Sequence, residues 1–318
     1  MKKFGNYFLT VIIMIFAICL VCFSNTNILS VQSSLDLFLN AIFPSLFPFL
    51  IVCELLTHTF VFSFLTTKFG KFMKPVFNVS NVGAYPFVMG LFSGYPVGAR
   101  IVSSLREKNQ ISKIDGELLL IFTNNAGPLF ILGSIGIGMY NSKQIGFFIY
   151  FVHIFSSIMT GILFGHILKK KFRNSASNNV SYIDFSSFGE IVSNSIKKSF
   201  YTLSTVCGFV IIFSLVISMI KVSGILSFIN NVWIESTLLG LIELTNGANL
   251  ISGITSLNIF LKLLITVFIL GTGGISVLLQ VWSVISDSDL SILPYIFGKI
   301  TNGFISVLVL YITYPLIF

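Results

Sequence analysis

Apolar residues run in long, nearly unbroken stretches along this chain, separated by short polar or basic punctuation. Residues 6–24 form the first run, 37–64 the second, 143–168, 197–220 and 288–317 three more. Each is near the 20 residues that an α-helix needs to cross a bilayer. Two further runs, 117–139 and 257–284, are interrupted by helix-breaking residues at Thr123–Pro128 (TNNAGP) and Gly271–Gly274 (GTGG). Two segments are apolar but broken by turn formers. Residues 84–105 hold Gly90, Gly94, Pro96 and Gly98, and residues 236–256 hold ELTNG and Gly253. A straight helix tolerates that density badly, so each predicts two short half-helices meeting in a turn. The first turn is expected at Ser93–Gly98. Pro44 and Pro48 predict a kink or a late start in the second span. Residues 65–83, with Lys68, Lys71 and Lys74, are expected to be a basic loop.

The order of these elements occurs twice. A long apolar helix, a Gly-rich segment, a polar break and a closing helix run through 34–168 and again through 190–317. Asn40, Ser45, Val52 and Cys53 recur as Asn194, Ser199, Val206 and Cys207 at one constant spacing. The expected fold is an all-α polytopic membrane protein: about seven transmembrane helices plus two re-entrant helical hairpins in an inverted repeat. Its expected parts are an N-terminal anchor (1–33), a first repeat (34–173), a Ser/Asn-rich cytoplasmic linker (174–189) and a second repeat (190–318). The first apolar run is long for a signal peptide and has no A-x-A site, so a retained anchor is expected.

Composition agrees with a lipid environment. The chain is 55% hydrophobic and 9% charged, with mean hydropathy +0.95, whereas soluble domains carry roughly 25% charged residues. The net charge of +8 does not indicate nucleic acid, because the cations sit in short loops beside apolar runs. With the N-terminus inside, Lys2, Lys3, Lys68, Lys71, Lys74, Arg106, Lys108, Lys113, Lys169, Lys170, Lys171, Arg173, Lys197 and Lys198 share the cytoplasmic side. Lys143, Lys221 and Lys262 fall opposite, and Arg100 and Lys299 lie at membrane depth. This bias follows the positive-inside rule. It inverts the second half relative to the first. Cys19, Cys22, Cys53 and Cys207 lie within apolar runs and suit packing, not a disulfide framework.

Main chain that leaves a helix in the membrane must find partners in protein or a wet cavity. Both breaks are therefore expected to line a cavity between the halves. Thr123, Asn124 and Asn125 supply side-chain donors and acceptors there, and Thr272 and Gly273 mainly backbone. At the first hairpin tip, Ser93, Gly94, Tyr95 and Gly98 precede a helix start suited to an anion, and Arg100 suits either a carboxylate ligand or a boundary charge. At the second, Glu243, Thr245, Asn246 and Asn249 cluster, and a carboxylate at membrane depth marks a functional group or a structural pair. Glu54 and His58, one turn apart, suit a local pair, and His153 and His166 a structural role. The expected ligand is a small-molecule anion. No cofactor or metal is expected, H+ or Na+ is a candidate coupling ion, and a homo-oligomer stays open. No H-E-x-x-H or G-x-S-x-G motif suggests an enzyme.

The motifs GLFSGYPVGAR, TNNAGPLFILG, ELTNGANLISG, GTGGISVLLQVWSVISDSD and PYIFGKITNG, in this order, resemble the YlbJ-type (SpoVV) sporulation integral membrane proteins. The resemblance covers roughly residues 35–315. It implies membership of the gate, or nucleoside-recognition-domain, group, with a fold similar to concentrative nucleoside transporters. It also implies movement of dipicolinic acid across the outer forespore membrane from the mother cell. A nucleoside or another small metabolite, and a structural role in the spore envelope without flux, are the alternatives.

Overall fold

The computed structural model describes residues 2–56, 59–169 and 188–318. Among these the regular structure is entirely helical. The first apolar run is helix α1 (Lys2–Cys22), which turns through 97° into α2 (Ser24–Leu37). Asn27 holds the corner. Its side-chain amide donates to the carbonyls of Cys19 (3.1 Å), which also accepts the Phe23 N–H, and Leu20 (3.2 Å) in the last turn of α1. Helix α2 runs unbroken through positions 33 and 34, then through a π-turn (Phe38–Ile42) into α3 (Phe43–Leu56), which carries Pro48 inside it. Both α2 and α3 pack on α10 (Phe188–Ser223).

The stretch expected as a basic loop is helical instead. Thr59 caps α4 (Phe60–Phe64), a π-turn follows (Leu65–Phe69), and α5 (Gly70–Phe77) ends at left-handed Asn78. Lys68, Lys71 and Lys74 are exposed, while Met73 and Phe77 are buried. The lysines recur every third residue, so they mark the wet face of an amphipathic helix and not a loop.

Both hairpins form. Helices α6 (Ala84–Ser93) and α7 (Val97–Glu107) meet at Gly94, whose φ of +86° suits glycine. Helices α11 (Val232–Ile242) and α12 (Leu244–Gly253) meet at Glu243 and cross with Gly240 against Gly247. The first broken run is α8 (Lys113–Thr123), an irregular stretch over 124–127 that starts with extended Asn124, and a π-helical segment (Leu129–Met139). The second is α13 (Ile259–Thr272) and α14 (Gly274–Ile285). Helices α9 (Lys143–Lys169) and α15 (Leu293–Ile317) close the two halves.

Four described helices are long and apolar enough to cross a membrane: 143–168, 188–223, 259–285 and 293–317. The count is up to six if each of two bent pairs, in 10–40 and 46–77, makes one span. The run 117–139 is divided into pieces too short to cross singly.

Helix α9 shows how the sequence meets lipid. Phe147, Phe151, Phe155, Met159 and Leu163 recur every fourth residue and are exposed. His153, Ser156, Ser157 and Thr160 are fully buried on the opposite side. Apolar groups outside and polar groups inside invert the pattern of a water-soluble helix. Lipid tails solvate the aromatics, and the hydroxyls bond across helices. Helix α15 does the same, with Phe297, Phe304 and Leu308 outward and Lys299, Asn302 and Ser306 inward. The two polar faces meet where the Ser156 and Ser306 hydroxyls lie 2.7 Å apart.

Candidate functional site

The first break is held from three sides. The Thr123 carbonyl enters the first hairpin between Gly90 and Gly98, where a Cβ on either would collide with it. Glycine is therefore required by close approach of two main chains. Asn125 folds back to donate to the Phe122 carbonyl (2.7 Å), and Ser157 of α9 donates to the Asn125 side-chain oxygen (3.0 Å). The Ala126 N–H donates to His153 Nε2 (3.0 Å). From α15, Lys299 Nζ donates to the Asn124 carbonyl (2.5 Å), with a long contact to Asn125 Oδ1 (3.5 Å). The Asn124 amide donates to the Tyr295 hydroxyl (3.0 Å). Orphaned peptide groups at this depth are thus satisfied by side chains of α9 and α15.

The second break is narrower. It centres on Gly273 and Gly274, both at positive φ (+76° and +71°). Asn302 of α15 donates to the Gly271 carbonyl (3.0 Å), and Thr160 of α9 donates to Asn302 Oδ1 (3.1 Å). Tyr95, from the opposite hairpin tip, donates its hydroxyl proton to the Leu270 carbonyl (3.1 Å). At the second hairpin tip, Glu243 caps α12. Its carboxylate accepts from the N–H groups of Thr245 (3.0 Å) and Asn246 (2.8 Å) and from the Asn246 side chain (2.9 Å).

These pieces surround one cavity of about 370 Å3. Ser93, Gly94 and Tyr95 reach it from the first hairpin, Glu243 and Thr245 from the second. Ala126 and Gly127 of the first break, Ser134 of the π-helical segment and Gln280, two turns beyond the second break, add to the polar part. Apolar walls come from Leu46, Phe49, Phe130, Val206 and Val210 among others. The volume lies within the range of small-molecule sites, about 300–1,000 Å3.

No family model and no solved structure matches the chain. A curated relative does. The chain is 30% identical to the sporulation integral membrane protein YlbJ of Bacillus subtilis (strain 168) over 301 residues, which is 86% of this chain and 74% of the relative. The chain belongs to the YlbJ family. It is an integral membrane protein of a sporulating bacterium, in keeping with its apolar helices.

In this YlbJ-family protein, Ser93, Gly94, Tyr95, Glu243 and Thr245 line the cavity. Asn246 stands behind Glu243. Gly98, Thr123, Asn124, Asn125, Thr272 and Gly273 lie in the packed shell around it: the asparagines are fully buried in their own bonds, and the Thr272 hydroxyl donates to the Ile269 carbonyl. Two expected ligands point elsewhere. Arg100 donates to the Lys198 carbonyl (2.6 Å) on α10, and Asn249 is exposed on α12. Glu54 pairs with Lys198 (2.9 Å), while His58 lies outside the described residues.

Lys299, Tyr295, His153, Asn302 and Gln280 join the site without having been singled out for it in the sequence. Lys299 and Asn302 sit in PYIFGKITNG, where a cation in an apolar run was the available signal. No group of three or more His, Cys, Asp or Glu side chains converges among the described residues.

Proposed function

We propose that this protein is a membrane carrier, not an enzyme, and that it moves a small anionic metabolite. The observation that carries the reading is the cavity lined by both hairpin tips beside interrupted helices. Non-helical main chain costs several kcal/mol per unpaired group in lipid and is kept where protein buries it or a wet cavity borders it, as this one borders Ala126 and Gly127. The reciprocal packing of the halves supports the inverted repeat. Helix α7 of the first hairpin lies on α14, and α12 of the second lies on the π-helical segment 129–139. Likewise α8 packs on α15, and α13 on α9. Domains 34–173 and 190–318, each with three crossings and one hairpin, fit that exchange, with 1–33 as anchor and 174–189 as linker.

The family context favours dipicolinic acid as the substrate and the outer forespore membrane as the location. A nucleoside is the second reading, favoured by one observation: no Lys or Arg among the described residues lines the cavity, and its polar groups suit a neutral ring. A non-transporting role in the spore envelope is the third.

The test is flux into liposomes containing the purified chain, with labelled dipicolinate and labelled uridine in parallel. Dipicolinate uptake is expected. Uridine uptake alone selects the nucleoside reading, and flux of neither selects the envelope role. Labelling of single cysteines at 174–189 and at Lys68 from one side is expected for the inverted arrangement; labelling from opposite sides overturns it.

A further inference from the structure

Lys299 is 2% exposed, in the middle of an apolar helix, and forms no ion pair among the described residues. Its Nζ donates to the Asn124 carbonyl at the first break. The same Nζ stands 5.5 Å from the centroid of the Tyr95 ring and 5.8 Å from that of Tyr295. Tyr95 is itself a wall of the cavity. One aromatic side chain therefore separates the cavity from the buried amine. Two side chains at the first break, Asn124 through Oδ1 and His153 through Nδ1, keep a buried polar atom without a hydrogen-bond partner.

We propose that Lys299 couples transport to protons: it takes up one proton as an anion enters the cavity and releases it when the anion leaves. The proposal rests on the carrier reading. A buried charge without a counter-charge is costly, and the cost is removed either by loss of the proton or by arrival of an opposite charge. An anion behind the Tyr95 ring supplies that charge, and in a low-dielectric interior the attraction carries across a side chain. Proton and anion then favour each other's binding by the same factor. A dianion entering with one proton carries one net negative charge.

The other groups facing Lys299 leave this task to it. Helix α9 presents His153, whose Nε2 accepts the Ala126 N–H. The first hairpin presents Tyr95, and α15 itself presents Tyr295. Helix α8 meets this region through Ile121, against Gly298. Its charged Lys113, Asp115 and Glu117 lie in its first turns, where Asp115 accepts the Ser80 N–H and Glu117 the Ser291 N–H. The Lys262 ammonium of α13 donates to the Ser252 carbonyl. Glu243, across the cavity, spends its oxygens capping α12.

The test is titration calorimetry of the full-length protein in detergent with pyridine-2,6-dicarboxylate, from about pH 5 to about pH 10, a range covering ordinary and buried lysines. Buffers of different ionisation heat report the protons bound per anion. For wild type, uptake approaching one proton is expected, with affinity falling by up to about tenfold per pH unit in the alkaline limb. Lys299→Arg keeps a fixed charge and is expected to bind with no proton uptake and a flat profile. Lys299→Gln is expected to bind more weakly, also flat. Both variants are first checked for wild-type elution in size exclusion. Binding by wild type without proton uptake overturns the proposal alone, as does an unchanged profile in Lys299→Arg. Absence of binding by all three proteins overturns the dipicolinate reading of the carrier and this proposal with it.

Discussion

The Tyr95 hydroxyl donates to the Leu270 carbonyl at 3.1 Å, joining residues 175 positions apart in the chain. It ties the tip of the first hairpin to the last turn of α13, directly before the second break. Tyr95→Phe keeps the ring beside the cavity and leaves that carbonyl unpaired, a loss of about 1–3 kcal/mol for a buried group. A lower thermal midpoint in detergent, together with altered flux, is the expected outcome. An unchanged midpoint and unchanged flux would show that this bond does not hold the halves together.

Gly90 and Gly98 clasp the Thr123 carbonyl, and an added Cβ at either meets main chain that cannot step aside. Gly90→Ala and Gly98→Ala are expected to destabilise by about 1–3 kcal/mol, the usual range for overpacking. Gly208 in α10 has nothing within 4 Å of a built Cβ. Gly208→Ala is therefore expected to be neutral or to stabilise by up to about 1 kcal/mol through helix propensity. Thermal melts of the three variants side by side check this, and equal midpoints would contradict the clasp.

Glu243 both caps α12 and faces the cavity. Glu243→Ala removes the cap and is expected to cost about 0.5–2 kcal/mol. Glu243→Gln keeps an acceptor oxygen and is expected to melt near wild type with reduced flux. Wild-type flux in the Gln variant would confine Glu243 to capping.

Arg106 grips Asp289 with two parallel bonds, Nε to Oδ1 at 2.8 Å and Nη2 to Oδ2 at 3.0 Å, outside the apolar spans. Its guanidinium holds the Asp289 carboxyl below its ordinary range. A depressed folded-state value contributes stability above the unfolded value of about 3.9, and that contribution is lost as pH falls through the folded value. The Asp289 side chain is 52% exposed, so solvent screening limits the pair to about 1 kcal/mol or less. Asp289→Asn is expected to lower the melting midpoint slightly at neutral pH. The gap to wild type should close below about pH 4 and narrow in high salt. A gap independent of pH would assign the effect to something other than the charge.

Much of the site's frame was legible because it depends on local breakers. Turn formers at 84–105 and 236–256 placed both pairs of short helices, and TNNAGP placed the first break within a residue. The 97° corner at Phe23 was not legible, because its cause is the Asn27 amide reaching two carbonyls that close α1. Helix α5 was hidden by its lysines, which break hydrophobicity without breaking the helical period. Asn124 and Asn125 were singled out as ligand donors, yet their bonds go to Tyr295, Phe122 and Ser157.

The amino-acid sequence by itself determined that this is a helical membrane protein, where its long apolar helices run and where two of those runs must give way. Those are consequences of side-chain hydrophobicity and backbone freedom, which act over a few residues. Only the tertiary structure decided which groups satisfy the exposed peptide bonds and what shares the cavity wall. Lys299 meets Asn124 from 175 positions away. Such a pairing depends on how the closing helices pack against the breaks, and no property of either residue's neighbours in sequence encodes it.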